Sequence, residues 1–455
     1  MPAPSTNEPY IYADNAATTP LSPAALEAMM PFLTSEFGNP SGIHRVARRA
    51  AEALGSARAR MATLLGAEHA EEMYFTSGGT ESDNWVLRGA VQRFRDLHGE
   101  DATPRIITSS IEHHAILHCC AALEREGVEV TYLPVDEHGF VRPADLEAAL
   151  VANEEACWGQ HAPGCGGSGG SCCEADATPA TALVSIMLAN NEVGTIEPVR
   201  ELARIARAHG VSFHTDAVQA VGHIPVDVQE LGVDALSLSA HKFGGARGVG
   251  ALYLREGFSI PALIAGGAQE RGVRAGTENL AGIIGMVAAL EESARELELS
   301  VRRVAAARDE LVRHVLTVCD GAQLTGAPLD TKALPGAGPF TSLPPASSQG
   351  GSATSASTRA ALTRLPSIAS FTCDNVDGEL LVVLLDRAGV AAATGSACST
   401  GSTEPSHVLT AMGIGAPRAK GALRLSLSSD ITREEIELLK QRVPAAIKRA
   451  RLLSG

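Results

Sequence analysis

The chain has 455 residues, 45% of them apolar and 20% charged, which excludes whole-chain disorder and leaves room for two or three domains. Its 52 acidic residues against 37 basic ones give a net charge of −15, a poor balance for coating nucleic acid or an anionic membrane, both of which need basic patches. No apolar run reaches the ~18 residues of a membrane-spanning helix.

The N-terminal stretch MPAPSTNEPYIYADNAATTP has no basic n-region, no apolar h-region and no Arg-rich amphipathic pattern. Neither a signal nor a transit peptide is expected, and the expected compartment is the reducing cytoplasm. Nine cysteines, an odd number, argue against a closed disulfide framework.

Short apolar runs then alternate with helical patterns. The runs are Met73–Phe75, Arg105–Thr108, Val128–Pro134, Ala182–Leu188, Ser212–Thr215, Ala235–Ser239 and Gly250–Leu254. Each is of strand length and carries β-branched or aromatic residues. Helical stretches lie between several of them, at Thr80–Arg95, Ala115–Glu126 and Val199–Ala208. This alternation predicts an α/β fold with a mostly parallel seven-stranded sheet covered on both faces. Ligands of such sheets bind at the carboxyl ends of the strands.

A long helix-favouring stretch, Leu280–Cys319, leads into a smaller α+β domain with strands expected at Ile368–Cys373, Val390–Ala393 and Leu423–Ser426. The expected domains are 20–285 for the large one, and 1–19 with 286–455 for the small one. Two Gly/Ser/Pro-rich stretches, 154–180 and about 326–360, read as surface insertions. The first holds Cys157, His161, Cys165, Cys172 and Cys173, whose spacing fits no paired C-x₂₋₄-C zinc pattern; no metal site is expected. Cys119, Cys120, Cys319 and Cys373 fall in helix or strand patterns and read as packing residues. The C-terminal segment from Ile431 is an amphipathic helix with Glu early and Lys/Arg late, matching the helix dipole.

Seven segments carry residues capable of chemistry, and each also has an ordinary structural reading. Lys242 follows a strand and precedes Gly244 and Gly245, where it is placed to form a Schiff base or to be a surface lysine. Asp216 ends a strand, as a partner for a pyridinium nitrogen or as a helix cap; Gln219 lies one turn on. The turn Ser77–Gly78–Gly79–Thr80 opens a helix with Thr80 and Asp83 at capping-box-like spacing, a phosphate cradle or a plain cap. His113 precedes a helix and offers a flat ring for stacking and proton transfer, with His114 beside it. Asn190 and Asn191 end a strongly apolar run, as cofactor contacts or as a turn. Cys398 lies in a run of small residues, an inert thiol or a travelling nucleophile; the loop is 394–405. Arg424, on an alternating strand, reads as a carboxylate clamp or a solvent-facing residue.

Taken together in order, the segments YADNAATTP, GNPSGIHR, FTSGGTESDN, EHHAIL, ANNEVGTIEPV, HTDAVQAVG, SAHKFGGARGVGALY, ERGVRAGTEN, LPSIASFT, TGSACSTGSTEPSHVL and LRLSLS make the chain resemble the cysteine desulfurases, in the group with long Cys loops. They span almost all of it outside the two insertions. The resemblance implies a fold-type-I pyridoxal-phosphate-dependent transferase acting as a homodimer. It implies that Lys242 carries the cofactor, that Asp216 faces its ring nitrogen and Gln219 its phenolate oxygen, and that His113 stacks on the ring. Gly79, Thr80, Ser239 and His241 would hold the phosphate, and Thr277 would reach the phosphate in the partner subunit. Asn191 and Arg424 would bind the carboxylate of L-cysteine, and Cys398 would accept its sulfur as a persulfide for transfer to an acceptor protein. A selenocysteine lyase and a catalytically silent scaffold are the competing readings. The two insertions, the absence of Pro after Lys242 and the plain C-terminus depart from the family pattern, and leave the acceptor open.

Overall fold

The computed structural model describes residues 9–159, 181–329, 362–395 and 405–454, without the side chains of 153–159. Its centre is a seven-stranded sheet in the order β2-β8-β7-β6-β5-β3-β4. In chain order β1 is Ile11–Tyr12, α1 Pro23–Thr34, α2 Arg45–Leu65, β2 Met73–Thr76, α3 Gly79–His98, β3 Arg105–Ser109, α4 His114–Arg125 and β4 Glu129–Leu133. Then come α5 Pro143–Gly159, β5 Thr181–Ser185, α6 Val199–Ala208, β6 Phe213–Asp216, α7 Val228–Leu231, β7 Ala235–Ser239 and β8 Gly250–Leu254. All seven expected strands of the large sheet are present. β8 runs antiparallel to both β2 and β7, and the other pairs are parallel. β3, β6, β7 and β8 are buried along their whole length, as a sheet covered by helices on both faces requires.

Two strands stop two or three residues short of expectation, and the other bounds agree to within a few residues. β5 stops at Ser185 rather than Leu188, although Ile186 and Leu188 still donate to His214 and Asp216 carbonyls at 3.1 and 2.8 Å. β11, Val390–Ala391, stops two residues short. The helices α1 and α2 and the strand β9, Ala322–Leu324, were not foreseen.

The helix α8, Leu280–Val318, is capped by Asn279, whose side chain accepts from Gly282 N at 3.1 Å. Its first turns join the core under the large sheet, through Leu280, Ile283 and Val287. Its later turns, through Val304, Leu311 and Val315, join a second core with Phe371, Leu381 and Leu439. That second core packs on an antiparallel sheet, β12-β10-β9, with β10 at Ile368–Cys373, α9 at Gly378–Arg387, α10 at His407–Ala411, α11 at Ala416–Ala419, β12 at Ala422–Ser426 and α12 at Arg433–Ser454.

The N-terminal segment crosses between these two bodies. β1 pairs in parallel with β11, and Asn15 N donates to Ser426 O at 3.3 Å. A few residues on, Thr19 N donates to His241 O at 2.9 Å and Ser22 N to Gly244 O at 2.8 Å. The same short strand edge therefore reaches the Lys242 turn.

Candidate active site

The carboxyl ends of β5, β6 and β7 open onto a cavity of about 350 Å³, where a ligand of a doubly covered sheet is expected. Asp216, the last residue of β6, lies on its floor, 6% exposed. One carboxylate oxygen accepts from Val218 N at 2.9 Å, a turn contact rather than a helix cap, since the next helix begins only at Val228. Burial raises its pKa to about 6, against the pull of the Val218 N–H and of Lys242. Lys242 follows β7 on a single 3₁₀ turn. Its Nζ donates to Ala16 O at 2.7 Å and Ala17 O at 2.8 Å. Its backbone carbonyl accepts from His223 Nε2 at 2.8 Å. Gln219 also donates to Ala16 O, at 2.9 Å.

At one end of the cavity, Gly79 and Thr80 meet Ser239 and His241. A Cβ on Gly79 would stand 2.6 Å from Val218 Cγ2, so only glycine lets the first turn of α3 approach this wall. The unsatisfied N–H groups of that turn and the hydroxyls beside it form an anion cradle. The expected capping box is not what forms. Gly78 is the N-cap and offers no side chain, and Glu81 instead accepts from Ser77 N at 2.9 Å. Asp83 turns inward, 1% exposed, because the third residue after Thr80 faces the sheet.

His113 caps α4: its Nδ1 accepts from Ala115 N at 3.1 Å, which puts the proton of the neutral ring on Nε2. Burial, then Lys242 and the neighbouring imidazoles, lower its pKa to about 4. The stretch EHHAIL left two rings open; both line the cavity. Asn190 follows its structural reading: Nδ2 donates to Ile111 O, and Oδ1 accepts from Glu192 N and Val193 N. Asn191 lines the cavity.

Arg424 is not solvent-facing. It is 1% exposed, and its Nη groups reach Asn191 O at 3.0 Å, Gly395 O at 3.1 Å and Asp14 Oδ1 at 2.8 Å. Its Nε has no hydrogen-bond partner among the described residues. Gly395, the last described residue before the Cys398 segment, accepts from Arg424, and His407, shortly after description resumes at Pro405, lines the cavity. Cys398 itself lies outside the described residues, as do Cys165, Cys172, Cys173, His161 and the side chain of Cys157. Thr277 is exposed and lies apart from this cavity.

Several participants escaped the sequence reading. Asp14, Glu112, Glu192, His214 and His407 all belong to this region. His214 carried a signal in FHTD, since it shares a strand face with Asp216. Cys119, Cys120, Cys319 and Cys373 are buried and unpaired, and burial pushes the Cys119 thiol up to about 11 and Cys373 to about 12. They are packing residues. Among the described residues no group of His, Cys, Asp and Glu is arranged to hold a metal ion, and no helix is long and apolar enough to cross a membrane.

The profile of the class-V aminotransferases matches residues 11–162, 171–335 and 353–439. The chain belongs to the class-V aminotransferase family. A protein of Methanosarcina thermophila named cysteine desulfurase IscS is 41% identical over 450 residues, covering 99% of this chain and 95% of its own. One of Azotobacter vinelandii named cysteine desulfurase NifS is 38% identical over 446 residues, covering 98% and 94%. A solved NifS-like protein superposes with a TM-score of 0.77 at 33% identity, over 97% of this chain and 100% of its own. The fold is therefore that of the pyridoxal-phosphate enzymes, and the cofactor is pyridoxal phosphate. The cavity fits it: an anion cradle at one end, a buried carboxylate on the floor, a lysine amine beside it and an unengaged guanidinium N–H opposite.

Burial lowers the His214 pKa from 6.5 to about 3. Below pH 6.5 the unfolded chain therefore binds a proton that the folded ring refuses, and stability falls with pH until about pH 3. The slope from this ring is about 1.4 kcal/mol per pH unit. In chemical unfolding compared across acid pH, His214→Asn should lose less stability per unit than wild type. Parallel curves for the two would contradict the assignment.

Proposed function

We propose that this enzyme is a cysteine desulfurase, converting L-cysteine to L-alanine and leaving the sulfur as a persulfide on Cys398. The observation that carries the reading is the convergence of Lys242, Asp216 and Arg424 on one cavity, which Arg424 ties to Gly395 before the Cys398 segment and which His407 after it lines. Pyridoxal phosphate, when bound, supplies an electron sink for the carbanion formed at the substrate α-carbon. The Asp216 carboxylate would keep the ring nitrogen protonated, Gln219 would meet the phenolate oxygen, and the α3 turn with Thr80, Ser239 and His241 would hold the phosphate. Lys242 would carry the cofactor, and its Nζ would be the base that takes the α-proton. The carbonyls of Ala16 and Ala17 fix where that amine points.

Arg424 and Asn191 hold the substrate carboxylate. The guanidinium is already immobilised by Asp14 and two backbone carbonyls, so little side-chain entropy is lost on binding. His113 would stack on the ring as a neutral imidazole with its proton on Nε2, available to the reacting sulfur. The Cys398 thiolate then attacks the substrate sulfur. An S–S bond forms, the C–S bond breaks with its electron pair, and protonation of the carbon gives alanine. The persulfide passes to an acceptor protein, in iron–sulfur cluster assembly or another sulfur-requiring synthesis. The enzyme works as a homodimer in the cytoplasm, with Thr277 reaching the phosphate in the partner subunit; its exposure in the single chain suits that role. The segments 20–285, and 1–19 with 286–455, act as its two domains.

In a sulfide-release assay with cysteine, Lys242→Ala and Cys398→Ala should both be inactive, the first without the bound cofactor's visible absorbance and the second with it. Sustained turnover by Cys398→Ala would refute the persulfide step. Arg424→Lys should raise KM for cysteine about 10–150-fold, the worth of a charged hydrogen bond of about 1.5–3 kcal/mol; an unchanged KM would place the carboxylate elsewhere.

A further inference from the structure

Behind the cavity floor, β5, β6 and β7 turn a polar layer toward α3. His214 and Asp216 lie two residues apart on β6 and share that face. His214 is fully buried. Its Nδ1 is 2.9 Å from Ser185 Oγ and its Nε2 2.9 Å from Ser237 Oγ. Each ring nitrogen thus has a hydroxyl partner on a neighbouring strand, which suits a neutral imidazole.

Asp83 comes down on this layer from the second turn of α3. It also lines the cavity. Its Oδ1 is 3.8 Å from His214 Nε2, beyond hydrogen-bond reach, and has no hydrogen-bond partner among the described residues. Two further carboxyl groups face the same region. Asp216 shares the layer, and Glu112, before α4, accepts from Ser109 Oγ at 2.6 Å and from Met187 N at 3.0 Å. The cations do not serve Asp83. Lys242 exerts its pull on Asp216, and the ion-pair partner of Asp83 among the described residues is His214, the ring held neutral. A bare carboxylate oxygen here would be a buried, uncompensated charge next to a second one, an arrangement that proteins avoid by binding a proton.

We infer that Asp83 is a positioning residue that carries a proton in the working enzyme, so that the negative charge beneath the cavity stays on Asp216. Burial first, and then the Asp216 charge, push the Asp83 carboxyl well above the usual range, while Ser237 pulls the other way. Burial likewise pushes Glu112 up to about 8, against the pull of Ser109 and the Met187 N–H. Asp216 is the group that Lys242 and the Val218 N–H hold down. With Asp83 neutral, the charge beside the ring nitrogen stays on Asp216. Packed 3.8 Å from His214 Nε2, Asp83 also steadies that ring and, through β6, the orientation of Asp216. This rests on the proposed pairing of Asp216 with the ring nitrogen.

The test uses the cofactor-loaded enzyme, with Asp83→Asn, Asp83→Ala and Asp216→Asn. Infrared difference spectra against wild type should show that Asp83→Asn removes a protonated-carboxyl band. If Asp83→Asn removes an ionised-carboxylate band instead, the inference is overturned. A pH titration of the cofactor's visible absorbance gives the second reading. Asp83→Asn, neutral and of similar shape, should keep the wild-type midpoint within about 0.3 pH unit, while Asp83→Ala should move it by about one unit, a tenfold change. Equal displacement by both variants, or by neither, would overturn the positioning role. If Asp83→Ala does not fold, the infrared band in Asp83→Asn still decides. Asp216→Asn keeps the two readings apart: an unaltered titration there defeats the Asp216 pairing, whereas the infrared band reports on Asp83 alone.

Discussion

A guanidinium that is 1% exposed must have its N–H groups met, and the way Arg424 meets this requirement organises the molecule. Asp14 comes from the N-terminal crossing, Asn191 from the turn after β5, and Gly395 from the segment leading to Cys398. One side chain thereby ties the antiparallel sheet that carries it to the large sheet and to both strands of chain that close the site. Removing it would leave the part-buried Asp14 carboxylate and Asn191 carbonyl and the buried Gly395 carbonyl without this donor, which is costlier than the loss of the hydrogen bonds alone. The Nε that remains unengaged faces a site with a use for it.

The crossing segment does the same from the other side. Ala16 and Ala17 offer carbonyls to Lys242, while Asp14 offers a carboxylate to Arg424. A displacement of this one stretch would therefore move the amine that carries the cofactor and the guanidinium that holds the substrate together. That coupling explains why a run with so little regular structure, NAATTP, lies at the centre of the site. The polar layer under the floor adds a third constraint, since its charges must be distributed among Asp83, Asp216 and Glu112 with few cations at hand.

Much of this was legible in the sequence, for definite reasons. Strand ends bearing Asp216, Ser239 and Lys242 were readable because apolar runs of strand length end at those residues, and parallel sheets bind ligands at their carboxyl ends. The helix Val199–Ala208 was readable from its periodicity and has those bounds. Asp83 was misread because capping spacing is the same whether the side chain turns back to the helix end or inward to the sheet. Arg424 was left between clamp and surface residue because its decisive partner, Asp14, is 410 residues away, and local pattern carries no long-range pairing. The helices α1 and α2 were missed because the strand alternation that organised the reading begins only at Met73.

The chemistry turns on a single sulfur atom changing carriers. Its most direct test is peptide mass spectrometry of the enzyme after one turnover with sulfur-labelled cysteine and no acceptor. The peptide bearing Cys398 should gain one sulfur, and those bearing Cys119, Cys120, Cys319 and Cys373, whose thiols are buried, should gain none. Label on another cysteine, or sulfide released with no protein-bound sulfur, would contradict it.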